Sequence, residues 1–451
     1  MRRTTVLLAA SMNSFLGGSL GYSAGIIHLG LLEKYKESPV AVSWAGALFS
    51  SFLCLAGPIS SAVINATSCQ KAIFLGSFLS SVGFLISSFV SDIELVILSY
   101  GIIAGIGQSL MYAGSVVVTG FYFHDNPSVA TGVVAAGAGI GVTVYPIFTE
   151  FLMATYGING TFLLLSAVSL QTCVFTMCIK THTLEKKRRD VSNTISDRVK
   201  LILRELRKIT SNGAYCCFCV SIFCWSASIN TSVLFLPQYY VSTGSTPLQA
   251  ALFMSVYGIT GCLSRILTGL AASDINVDGK ILYMGSYLIL GLFTIFLPLL
   301  GTTFSGKMLY SVILGIYSSG VWSLLTPITI EIIDIKSLST AFGIELLTSG
   351  IGFLSGPIIG DGVQRGSGSF SLVFITSGVL YIMAGVFEVM MILKMKKSDF
   401  HKERRDKIRI VKVADKDTHE QGRKENQAPT QDDDSEMCTN IERRGLTEDQ
   451  D

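Results

Sequence analysis

Long apolar runs alternate along this chain with short polar punctuation, and twelve of the runs stand out. They lie near residues 5–32, 40–65, 71–91, 94–121, 128–154 and 160–180, and then near 213–240, 246–272, 279–301, 305–332, 337–361 and 369–395. A hydrocarbon core about 30 Å thick takes roughly 20 helical residues to cross. In lipid the backbone must satisfy its own hydrogen bonds, so runs of this length predict membrane-spanning helices. The pattern therefore predicts an all-α membrane protein with six spans, a polar connection and six more spans.

The polar segments divide the chain into a first bundle at 1–180, a basic linker at 181–212, a second bundle at 213–395 and a polar tail at 396–451. Two such halves, related by an axis along the membrane normal, are the layout of a transporter with a substrate path between them. The linker carries Lys186, Lys187, Arg188, Arg189, Arg198, Lys200, Arg204, Arg207 and Lys208, and the tail opens with Lys394, Lys396 and Lys397. On the other side the loops offer little beyond Lys34, Lys36, Lys307 and Arg365. The positive-inside rule then puts both termini and the linker in the cytosol, and an even number of spans agrees with termini on one side. Met1-Arg2-Arg3 before an apolar run has the look of a signal peptide, but the run outlasts a signal core, so a retained first helix is expected. Within the linker, Val199, Ile202, Leu203, Leu206 and Ile209 recur at helical spacing between cations. This reads either as an amphipathic helix on an anionic leaflet or as a solvated charged helix. From about Ser398 the tail is too poor in apolar residues to bury a core, so disorder is expected there.

Composition supports the membrane reading. The chain is 49% hydrophobic and 15% charged, with a mean hydropathy of +0.53. A soluble protein of this length needs more charge to cover its surface. Most of the ten cysteines lie inside spans, which suits small apolar core residues rather than an extracellular disulfide framework. Cys216, Cys217 and Cys219 have no neighbouring acid or histidine to make a metal pattern. Gly137-Ala138-Gly139-Ile140-Gly141 follows no strand and lies in an apolar run, so a nucleotide loop is rejected. Its glycines instead let helix backbones approach closely. No nucleophile stands beside a base, so neither an enzyme, a cofactor nor a nucleic-acid partner is expected.

Charges inside the apolar runs are the informative residues. Arg265 lies within the eighth run, and a guanidinium cannot shed its proton. Two readings stand. Its fork binds a carboxylate in a dry pocket, or it reaches the cytosol from roughly 10 Å of helix rise inside the span. Glu345 and Glu150 are intramembrane carboxylates, candidates for carrying a proton or pairing a cation, and Glu345 is placed to pair with Arg265. His28, late in the first run, is either a proton acceptor or an interfacial histidine bonded to a carbonyl. Glu150, Glu331 and Glu388 have the alternative of lying near interfaces. Tyr22, Asn13, Tyr112, Tyr145, Asn230 and Trp322 either line a cavity or pack.

The stretch joining the fourth and fifth runs carries the most specific motif. It reads Tyr122-Phe123-His124-Asp125-Asn126-Pro127, then Ala130-Thr131-Gly132 and Ala136-Gly137. With Val42-Ser43-Trp44, Gly57-Pro58, Arg265 with Gly269, Ala341-Phe342-Gly343 and Gly356-Pro357, it resembles the monocarboxylate transporter family (solute carrier family 16) of the major facilitator superfamily. The resemblance implies the major facilitator fold, twelve transmembrane helices in two six-helix bundles, with Arg265 holding an organic anion. It also implies a plasma-membrane location and a single-span glycoprotein chaperone as a possible partner besides membrane lipid. Three departures bear on coupling. Asn126-Pro127 replaces the family's basic pair, Tyr22 stands where proton-coupled members carry a lysine, and Gly261 stands where they carry an aspartate.

The expected function is transport of small organic monocarboxylates by alternating access, facilitated or proton-linked. Arg265, Tyr22 and Tyr145 are the expected substrate contacts, and Glu345, Glu150 and His28 the proton-site candidates. A uniporter or exchanger of aromatic or zwitterionic solutes, and a non-transporting membrane sensor, are the alternatives.

Overall fold

The computed structural model describes residues 3–35, 39–123, 126–190, 195–274 and 276–425, and among them there are helices and no strands. By length and composition nine of these helices are apolar enough to cross a bilayer, or ten if the bent pair Ala41–Leu55 and Gly57–Ala66 is one span. The twelve predicted segments are recovered only when the 51-residue helix Pro127–Met177 is divided and the shorter Gly279–Ile295 is counted. That division has a physical basis. Gly157, with φ 65°, breaks the helical geometry inside Pro127–Met177, a backbone region that glycine enters without a Cβ clash. The expected short loop between the fifth and sixth segments is thus a glycine bend.

Polar punctuation between the other spans supplies helix caps. Ser68, Asn212, Thr246, Asp278 and Thr303 each accept a hydrogen bond from the first turn that follows, and Thr246 forms a full capping box with Gln249. The spans then pack through small residues. A Cβ on Gly76 would lie 2.6 Å from the Gly107 carbonyl, joining the third span to the fourth. Ser77 donates to the Ser169 carbonyl at 2.7 Å, joining the third to the sixth. In the second half Ser228 donates to the Ser377 carbonyl at 2.6 Å, and Ser226 meets Ser349 at 2.8 Å. Lipid gives apolar side chains no reason to associate, so close backbone approach and such hydrogen bonds hold the bundles together.

The described residues up to Met395 form one compact unit, and the segment from Lys396 is separate from it. The last helix, Phe370–Glu425, runs on to Glu425 where composition predicts a structureless tail from 396; its Lys, Arg and Glu residues are good helix formers. Residues 426–451 lie outside the described residues. The linker contains helices Thr183–Asp190 and Ile195–Thr210.

Contacts between the two halves gather at the end of the spans that carries residues 3 and 395. Asn65 donates to the Thr340 hydroxyl at 2.9 Å, which in turn donates to Glu205 of the linker helix at 3.0 Å. The bend between Leu55 and Gly57 seats the second span on the eleventh, where a Cβ on Gly57 would meet the Gly343 carbonyl at 2.6 Å. The fifth and eighth spans meet through Gly132 and Gly269: a Cβ on Gly132 would lie 2.9 Å from the Arg265 carbonyl.

Candidate functional site

The eighth span, Pro247–Ala271, carries Tyr257, Gly261, Arg265 and Gly269 at four-residue spacing, which aligns them along one side of the helix. The glycine contact beside Gly269 brings the fifth span close enough for Arg265 to reach it. Nη1 of Arg265 donates to the Ala135 carbonyl at 2.8 Å, across the boundary between the halves. The side chain lies over Gly139, where a Cβ would come within 3.2 Å of Nη1. Arg265 is 6% exposed, and among the described residues its Nε has no hydrogen-bond partner. Among the described residues no carboxylate oxygen comes within 4.0 Å of it. A guanidinium has five N–H donors and a permanent charge, so this is a buried cation lacking an anion.

The first span shapes the opposite wall. Its helix widens to a π turn over Ser14–Gly18 and tightens to a 3-10 turn over Leu20–Ser23. Two hydrogen bonds fix the irregular stretch. Nε2 of Gln108 donates to the Gly18 carbonyl at 3.1 Å, and the Ser19 hydroxyl donates back to the Phe15 carbonyl at 2.8 Å. Irregular turns at membrane depth are tolerated where they are buried in protein or line a cavity. Tyr22 emerges from this break and is 41% exposed. Tyr112 and Tyr257 both lie near Arg265 and Tyr22. The four side chains therefore share one region between the halves. An aromatic layer adjoins it: Tyr112 meets Trp322 edge-on at 6.2 Å, and Trp322 meets Trp225 at 5.2 Å.

The other expected residues fall elsewhere. Tyr145 is buried, and its hydroxyl donates to the Leu16 carbonyl at 2.7 Å, so it braces the break in the first span. Glu345 does not pair with Arg265; it is fully buried and accepts from the Thr329 hydroxyl at 2.7 Å. The expected pairing fails because Glu345 faces the interior of its own bundle, whereas Arg265 points across to the other. Glu150 is exposed. His28 is half-buried beside Gly46, and its side chain makes no hydrogen bond among the described residues. Glu388 is fully buried, whereas Glu331 is exposed and pairs with Lys280. Asn13 and Asn230 are used in packing, on Thr176 and the Phe353 carbonyl. Tyr257 was legible in principle, two helical turns before Arg265 on the same side of its span.

This fold and buried cation define a membrane transporter built from two helical halves. The model of the Major Facilitator Superfamily matches residues 6–333, and the chain belongs to that superfamily. Within it, the relatives agree with the family that the motifs point to. Human monocarboxylate transporter 6 is 25% identical over 85% of this chain and 78% of its own length. Mouse monocarboxylate transporter 12 is 25% identical over 76% of each chain. The human organic anion transporter MFSD10 superposes with a TM-score of 0.67 at 16% identity, covering 86% of this chain and all of its own. That structural likeness bears on the fold alone.

Proposed function

We propose that this transporter carries small organic monocarboxylates and that Arg265 holds the carboxylate. The observation that supports this is a guanidinium buried between the halves, hydrogen-bonded to one carbonyl and facing no acid among the described residues. A bidentate carboxylate would satisfy its free donors and its charge together. Tyr22 and Tyr257 would contact the rest of the solute, with Tyr22 a neutral donor where proton-coupled relatives use a lysine. The names of the relatives favour the same substrate class. With the cation-rich end in the cytosol, contacts at that end make this the outward-facing state, and rocking of the halves would expose Arg265 to the other side. Plasma-membrane delivery with a single-span glycoprotein belongs to the same reading, and surface labelling with and without such a partner tests it.

The aromatic layer of Tyr112, Trp322 and Trp225 favours a second reading, an aromatic or zwitterionic solute moved by uniport or exchange. Uptake by proteoliposomes across a panel of aliphatic and aromatic monocarboxylates and amino acids separates the two. Arg265-dependent uptake of aliphatic acids supports the first reading. Uptake restricted to aromatic solutes supports the second, and Arg265-independent uptake contradicts both.

A further inference from the structure

The interior of the second bundle holds two carboxyl groups that the arginine site does not use. Glu345, on the helix Leu338–Ser367, has one oxygen bonded to Thr329 and the other, Oε2, buried with no partner. Glu388, on the last span, is fully buried with neither oxygen partnered. Tyr283 of the ninth span lies near both carboxyls. The titratable groups around Glu345 are Tyr215 and Cys219 of the seventh span and Tyr283 of the ninth. Around Glu388 they are Tyr283 and Tyr287. The hydroxyls of Tyr283 and Tyr287 are themselves buried without a partner, and their rings meet at 4.8 Å. Among the described residues no lysine or arginine pairs with either carboxyl. A bare carboxylate without a cation or sufficient hydrogen bonds is too costly to keep in this setting. A proton is the smallest ligand that removes the charge and adds a donor.

Position links Glu345 to the moving parts. Thr329 lies on the tenth span and Glu345 on the eleventh, so the hydrogen bond between them joins two spans. The eleventh span reaches the first half at Gly343, two residues from Glu345, and at Thr340, which bonds Asn65. Any motion that parts the eleventh span from the second acts within two residues of Glu345.

We propose that Glu345 and Glu388 each bind a proton inside the second bundle, separate from Arg265, and that they hold it while the Asn65–Thr340 end is closed and exchange it with water when that end opens. The reaction at each is addition of one proton to a carboxylate oxygen and its return to solvent, with no other bond made. Neither carboxyl depends on what Arg265 binds.

The test is infrared difference spectroscopy of the full chain in lipid nanodiscs, following the C=O stretch of protonated carboxyl groups. Wild type should show this band at neutral pH; Glu345→Gln and Glu388→Gln should each remove part of it, and the double variant all of it. Absence of the band in wild type, or its survival in the double variant, overturns the proposal. The second arm cross-links cysteines introduced at Asn65 and Thr340. Deprotonation of the cross-linked chain should require a pH higher by about one unit or more, a tenfold change in proton affinity. Identical titrations with and without the cross-link would mean a fixed structural proton and would overturn the exchange. The wild-type band and the cross-link arm stand even if a glutamine variant fails to fold.

Discussion

Arg265 of the second half donates to the Ala135 carbonyl of the first at 2.8 Å, so the only charge buried between the halves is also a tie between them among the described residues. A substrate carboxylate competing for that guanidinium would act on binding and on the closed end together. This relation explains how an anion could bias the equilibrium between two arrangements: a ligand shifts such an equilibrium by its differential affinity for the two states.

Replacing the guanidinium should separate charge from geometry. Arg265→Ala is expected to abolish saturable carboxylate uptake. Arg265→Lys keeps the charge and loses the planar fork. Losing one charge-assisted hydrogen bond costs about 1.5–3 kcal/mol, which raises KM roughly tenfold to a hundredfold. Uptake kinetics in proteoliposomes check this. A lysine variant with unchanged KM would argue for a diffuse charge effect.

Tyr22 and Tyr145 are expected to respond differently to loss of a hydroxyl. Tyr145 is bonded to the first span, so Tyr145→Phe should lower stability by about 1 kcal/mol with little effect on KM. Tyr22 is exposed in the shared region, so Tyr22→Phe should raise KM and leave the melting temperature unchanged. Thermal denaturation and uptake, measured on both variants, decide the matter. The reverse pattern would exchange their roles.

The Gly132–Gly269 approach should control the closed end. A side chain at Gly132 meets the Arg265 carbonyl at 2.9 Å and the Gly269 Cα at 3.2 Å. Gly132→Leu forces the fifth and eighth spans apart, and overpacking of this kind costs about 1–3 kcal/mol. The population of the closed end should fall roughly fivefold or more. Cys262 sits at this contact, 4.0 Å from the Ala136 carbonyl, and its rate of maleimide labelling reports the change. Unchanged labelling would show that the halves are held elsewhere.

Glu388 should be a cost to stability rather than a support. Both its oxygens are buried without partners, so an apolar residue of similar volume removes an unmet demand. Glu388→Met is expected to leave the melting temperature equal or higher. A marked drop would reveal a partner for Glu388 and weaken the proton-site proposal.

Much of the fold was legible because the membrane imposes a simple rule on the chain. Apolar runs marked the spans, and polar residues such as Ser68, Asn212, Thr246 and Asp278 marked the starts as caps. Boundaries became illegible where the backbone bends without leaving the apolar pattern, as at Gly157, or where a helix stays irregular, as around Gly17 and Gly18. Arg265 could be found because a charge in an apolar run stands out. Its neighbourhood could not, since Ala135 and Gly139 are ordinary residues until the glycine contact brings them near. Hydropathy also does not tell which way an acid faces. Glu345 is expected to pair with Arg265 and lies inside its own bundle instead. Tyr145 shows the same limit, because a hydroxyl aimed at a carbonyl and one aimed at a solute have the same sequence.

The central claim is that Arg265 holds a carboxylate during transport. Its most direct test is radiolabelled uptake of a monocarboxylate panel into proteoliposomes containing wild type or Arg265→Ala, with and without an inward proton gradient. The account predicts saturable uptake of at least one aliphatic monocarboxylate by wild type and none by Arg265→Ala. Acceleration by the gradient would connect the flux to Glu345 and Glu388. Equal uptake by wild type and Arg265→Ala, with both proteins folded, would contradict the claim.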